Sequence, residues 1–171
     1  MTASLFAASD TVAIAVASKW PGTESVSTKL AGQLKDAFVR EGLPVVPDAE
    51  TRSKAKAAKL PDPRTCNGVR ACVEKLSLAL GEGVVIASIE VAKLADRLIV
   101  RVEVVRGDGT EPLDKLEVTT NMKAWAKDTN APVNELAKRL KGSLQRKEPE
   151  PAQAQPQATL TPEPKPEARP A

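Results

Sequence analysis

Hydrophobic and polar positions in the first third of the chain predict a strand, a helix and a second, short strand. Residues 10–18 are rich in β-branched and small apolar residues and are followed by a Trp-Pro-Gly turn, which predicts a buried strand. From Ser25 to Gly42 apolar residues recur at helical spacing, which predicts an amphipathic helix with a left-handed cap. The next predicted strand is 43–47, and the prolines near both of its ends indicate a sheet edge or a strand terminus. A partner strand can add at such an edge.

The remaining pattern predicts two helices, three strands and a closing helix. Residues 48–60 are rich in Ala and Lys, which indicates a weakly packed surface helix, and helical periodicity resumes from about residue 67 to residue 80. Strands are predicted at 83–91, 97–106 and 112–120, since turn residues separate these β-branched segments. The last helix, 132–144, carries a proline at an allowed position of its first turn.

This order predicts an α/β (α+β) fold, β-α-β-α-α-β-β-β-α. We expect a mixed sheet of about five strands with three or four helices on one face, parallel early strands and antiparallel late strands. A chain of 171 residues has room for one such domain, which we place at 10–145. A lead-in at 1–9 precedes it and a tail at 146–171 follows it.

The two ends of the chain differ from the domain between them. Residues 1–9, MTASLFAAS, have the small residues of a signal peptidase site without the basic start of a full signal peptide, so they are either its remnant or a plain lead-in. Half of the fourteen prolines lie in 148–171, which predicts a disordered polyproline spacer or an unimportant end. No run of about 18 apolar residues occurs, so no transmembrane segment is predicted.

The composition excludes many kinds of enzyme. The chain has no His and no Tyr, so it cannot build Ser-His-Asp or Cys-His nucleophiles or the zinc and iron sites that need His. Its two cysteines cannot fill an all-cysteine zinc site. Glycine-rich phosphate loops and the Gly-x-Ser-x-Gly motif are missing from the sequence. We therefore predict no enzymatic activity, no metal, no cofactor and no small-molecule substrate.

The two cysteines, Cys66 and Cys72, are six residues apart with Asn67 and Gly68 between them. A curled loop brings such a pair within disulfide range, so in an oxidising compartment we expect a disulfide that ties the loop to the following helix. The alternatives are a buried thiol at Cys72 with a loose thiol at Cys66, or a redox-active pair. The spacing is not Cys-x-x-Cys, which disfavours the redox pair.

A basic stretch between residues 54 and 70 is a candidate surface for partner contact. It is either a patch for anionic lipid, peptidoglycan or nucleic acid, or an ordinary solvated face. No aromatic residues interleave with the charges, and the net charge is only +3, so a nucleic-acid partner is disfavoured. The residues are Lys54, Lys56, Lys59, Arg64 and Arg70.

The two tryptophans are the other candidates for partner contact. Trp20 lies in the turn after the first predicted strand, and Trp125 precedes the last helix. Large aromatic rings dominate interface energetics, so each is either a partner anchor or a lid on the core.

Five segments of the chain together form a recognisable pattern: TVAIAV, LAGQLKDAFVREG, LPVV, LALGEGVVIASIEV and RLIVRVEVV. In this pattern the chain resembles, over about residues 11–120, the amino-terminal domain of TolB and the related CsgG-like envelope modules. Segment 62–85, in which a cysteine pair precedes a Leu-Gly step, resembles a version of this module in envelope proteins of bacteria such as myxobacteria.

The chain also departs from the TolB pattern. Residues 18–21, Ser-Lys-Trp-Pro, replace the Pro-Phe that often follows the first strand, and no repeat of propeller-blade length is present. What the resemblance implies is an envelope scaffold or assembly module that works by contact.

The function that the sequence predicts is a non-enzymatic interaction or assembly module, periplasmic or associated with the outer membrane of a Gram-negative bacterium. It would contact envelope proteins and carry a proline-rich spacer. The alternative is a cytoplasmic protein whose basic stretch binds nucleic acid, and a steep loss of binding with salt would distinguish it.

Overall fold

Four strands form one mixed sheet in the computed structural model, which describes residues 10–17, 20–63, 70–107 and 111–145. They are β1 (Thr11–Ala17), β2 (Val84–Leu94), β3 (Arg97–Arg106) and β4 (Asp114–Asn121), and they neighbour one another in that order. β1 pairs with β2 in parallel, whereas β2, β3 and β4 pair antiparallel. The predicted mixed α/β (α+β) class and the antiparallel late strands are confirmed.

The helices follow the predicted order with one addition. A short helix before the last one was not predicted, and the last helix begins two residues before its proline. The structure has α1 (Glu24–Arg40), α2 (Asp48–Ala57), α3 (Arg70–Leu80), α4 (Trp125–Asp128) and α5 (Asn130–Gln145).

Residues 43–47 do not form the predicted strand of their own. They make a single parallel bridge, in which the Val12 N–H donates to the Pro44 carbonyl and the Val46 N–H donates to the Val12 carbonyl, both at 2.8 Å. Pro44 and Pro47 lack an N–H, and Pro47 is the N-cap of α2, so the pairing stops there. The described part of the chain therefore has four strands and a bridge in place of about five strands.

Helices cover both faces of the sheet, so the prediction of one helical face is wrong. The larger hydrophobic cluster joins α1 and α5 to one face, with Phe38 and Leu136 fully buried. The smaller cluster joins α2 and α3 to part of the other face, through Ala55 and Leu76. Residues Val84 to Ile89 of β2 are all buried, which is the pattern of a strand enclosed on both sides.

Candidate interaction surfaces

The outer edge of β1 borders an open groove of about 550 Å³, here called the edge groove. One wall is α1, where Ala31 and Gly32 are small enough to leave room, and the other wall is the segment that bridges to β1. The apolar lining is Ile14, Val16, Ala31, Val45, Val46 and Pro47.

The backbone of β1 is unpaired along this groove. The Thr11 N–H donates to the Gly83 carbonyl on the β2 side, whereas both backbone groups of Val12 bond on the outer side. Backbone directions alternate along a strand, so Ile14 and Val16 also present their N–H and C=O groups outward. No hydrogen bond of these groups exists within the described chain beyond the bridge at Val12.

Charged side chains stand at the rim of the edge groove. Glu24 lies in the first turn of α1 and Lys35 three turns later, about 16 Å along the helix axis. Asp48 also lines the rim, and it forms an ion pair with Arg52 at 2.7 Å. The edge groove therefore has an apolar floor and a rim that carries both positive and negative charges.

The second surface is the part of the sheet that α2 and α3 leave open, here called the charged face. Arg101 donates from Nε to Glu117 Oε2 at 2.7 Å, and this hydrogen bond is the main reason that the pKa of Arg101 is raised. Both side chains are more than half exposed, so solvent screens the pair and it adds little stability. The charged face comprises Ser88, Glu90, Arg101, Glu103, Lys115 and Glu117.

Two of the four described residues of the basic stretch form ion pairs with carboxylates. Lys54 forms an ion pair with Glu50 at 3.2 Å and donates to the Leu80 carbonyl, and Arg70 pairs with Glu74 at 2.7 Å. This pairing reduces the positive field that a nucleic-acid phosphate would meet. Lys56 and Lys59 are exposed, and Arg64 lies outside the described residues.

The two tryptophans have different environments. Trp125 is 8% exposed and belongs to the larger hydrophobic cluster, so it closes the core. Of the two interpretations of Trp125, this burial favours the lid on the core. Trp20 is 47% exposed, in the turn between β1 and α1, and its ring is accessible to a partner.

Cys72 is half-buried on α3 and packs against the smaller hydrophobic cluster. It is not a free thiol. Cys66 lies outside the described residues, so the pairing of Cys66 with Cys72 stays a prediction.

The described residues contain no group of three or more His, Cys, Asp or Glu side chains placed to hold a metal ion. Within the same ranges, no helix has the length and apolar character needed to cross a membrane.

The open edge of the sheet does not lie where the sequence predicts it. The sequence predicts an open edge at 43–47, but this segment pairs with Val12 and covers that part of β1. The open edge is the remainder of β1, toward its carboxyl end.

Comparison with known proteins shows a likeness of fold. No protein-family profile and no curated protein matches the chain. Among solved structures, the LpoB C-terminal domain from Salmonella enterica is similar, with a TM-score of 0.51 and 11% sequence identity. The likeness covers 67% of this chain and 84% of that domain.

Proposed function

We propose that the chain is a non-enzymatic interaction module of the bacterial periplasm that acts in envelope assembly through protein contacts. The observation that carries this proposal is the edge groove, an apolar surface beside unpaired strand backbone. Such a surface is typical of a protein that binds other proteins. The likeness to the LpoB domain supports the envelope setting.

The finer resemblance to TolB and CsgG-like modules belongs to this proposal. It rests on the segments between residues 11 and 120, and on a cysteine pair suited to an oxidising compartment. In the same proposal, residues 146–171 serve as a proline-rich spacer. A polyproline chain suits that role because it is extended and semi-rigid.

A photo-crosslinking amino acid, placed at one surface at a time in living cells, tests the proposal. Suitable positions are Thr28 in the edge groove, Glu103 on the charged face and Lys56 in the basic stretch. All three side chains are exposed, so the substitutions leave the core intact.

We expect a discrete protein adduct from the envelope fraction at Thr28 or Glu103, and none at Lys56. Val39 on α1 is a matched control, since it is 57% exposed and lies outside both surfaces. Adducts to nucleic acid at Lys56, or no specific adduct at any position, would contradict the proposal.

A further inference from the structure

We infer that the edge groove binds an extended segment of a partner protein, which adds to the sheet as a strand beside β1. This inference rests on the proposed function, because it names the kind of partner that the module contacts. A segment of the chain itself already pairs with part of this edge of β1. The segment 44–46 pairs with Val12 and then leaves the edge at Pro47.

Unpaired backbone groups specify the shape of the occupant. Ile14 and Val16 direct their N–H and C=O groups into the edge groove, at the strand repeat of about 6.6 Å. An extended backbone presents donors and acceptors at that spacing. A helix satisfies its own backbone groups and leaves these unpaired.

The lining specifies the side chains of the occupant. Alternate residues of an added strand point to the same face of the sheet as Ile14 and Val16, where Ala31 and Val45 complete an apolar surface. One or two small apolar residues are therefore expected there. Glu24 and Lys35 at the rim favour a basic residue near one end of the segment and an acidic residue near the other.

A single strand fits this site better than a second copy of the chain. The free edge spans only Ile14 to Val16, about 10 Å of strand. Segment 44–47 bounds it at one end and the first turn of α1 lines it at the other. A second copy would bring its own α1 and its own segment 44–47 into the same short space.

The test uses a fluorescent, capped peptide of about seven residues that alternates Val and Thr between a terminal Lys and a terminal Glu. Two N-methylated versions of this peptide test backbone pairing. Each is methylated on alternate residues, so that only the amides along one edge of the extended peptide are blocked. We expect one version to lose at least about tenfold in affinity and the other to bind normally, because only one edge faces β1. In amide spectra of the full chain, Ile14 and Val16 should be among the signals that shift.

Matched glycine variants test the site without damaging the fold. Gly32 lines the edge groove and Gly142 lies on α5, and a Cβ at either position would meet no atom within 4 Å. Gly32→Leu fills the groove and should weaken peptide binding at least about tenfold, whereas Gly142→Leu should change it less than about twofold. Both replace a helical glycine with a better helix former, so both should remain folded.

Three results would overturn the inference. The first is no peptide binding up to about 1 mM, well above the dissociation constants of specific sites. The second is equal binding to the wild type and to Gly32→Leu. The third is a dimer of the chain that Gly32→Leu dissociates, which would assign the edge to a second copy. If the peptide test fails but the crosslink to an envelope protein at Glu103 is retained, the proposed function still holds and only the strand addition is wrong.

Discussion

Ala95 holds a backbone conformation that suits glycine. It is the first residue of the two-residue turn between β2 and β3, with φ of +55°, where a Cβ is strained. We predict that Ala95→Gly raises the free energy of unfolding by about 0.5–1 kcal/mol, because relief of this strain exceeds the entropy that glycine adds to the unfolded chain. Urea unfolding followed by circular dichroism measures it.

Ala92 provides the control for this substitution. It lies three residues earlier, within the β2 ladder, where it pairs with Ile99. Ala92→Gly should lower the free energy of unfolding by about 0.5–1 kcal/mol, since glycine weakens a strand interior. Destabilisation by both substitutions would show that the turn is not strained.

Asp10 and Arg106 form a mostly buried ion pair, at 3.2 Å, with side chains 17% and 13% exposed. The pair links the residue before β1 to the end of β3 across β2. We predict that Asp10→Ala lowers the free energy of unfolding by about 2 kcal/mol, because it leaves a mostly buried guanidinium without its carboxylate. The Arg106 Nε already lacks a hydrogen-bond partner there.

An exposed pair gives the comparison for Asp10→Ala. Glu117→Ala breaks the ion pair with Arg101, whose side chains are both more than half exposed. The urea midpoint should stay unchanged, since screened surface pairs contribute little. Equal losses for the two substitutions would contradict the role given to burial.

Within β1, the two directions of the backbone predict opposite tolerances to proline. The Val16 N–H points outward and is unpaired, whereas the Ala15 N–H points to β2. We predict that Val16→Pro costs less than about 1 kcal/mol and Ala15→Pro about 3 kcal/mol or more, because only the latter removes a ladder hydrogen bond. Thermal unfolding of the two variants compares them, and equal losses would contradict the assigned edge.

The sequence predicted the elements better than their arrangement. Helical spacing located α1 and α5, and β-branched alternation located β3, since these patterns arise from burial of one face. Residues 84–89 contain one polar residue, Ser88, in place of regular polar alternation, and this pattern indicates burial on both faces. The strand predicted at 43–47 is wrong for a different reason. The apolar side chains suit a strand, but Pro44 and Pro47 have no N–H to donate, which limits the backbone hydrogen bonds of this segment.

The candidate site was harder to predict than the elements. The sequence does carry the signal for the pairing of the basic stretch, since Glu50 and Glu74 lie four residues from Lys54 and Arg70 in predicted helices. The edge groove depends on where segment 44–46 stops along β1, which is a matter of tertiary register. No local pattern in β1 distinguishes an open edge from a paired one.

The folded domain is predicted to end at residue 145. The apolar contacts of α5 end at Leu144, which is 8% exposed. A chain that stops after Gln145 should therefore unfold at the same urea concentration, with the same cooperativity, as the full chain. A lower midpoint would show that residues 146–171 contribute to the fold.

One measurement of intact mass distinguishes a chain that works in the bacterial envelope from one that stays in the cytoplasm. The native chain is acid-quenched in its own cells and treated with a thiol alkylator before any reductant. We predict a mass that lacks about the first nine residues and carries no adduct on Cys66 or Cys72, as export and a disulfide require. A full-length mass with both thiols alkylated would place the chain in a reducing compartment and contradict the account.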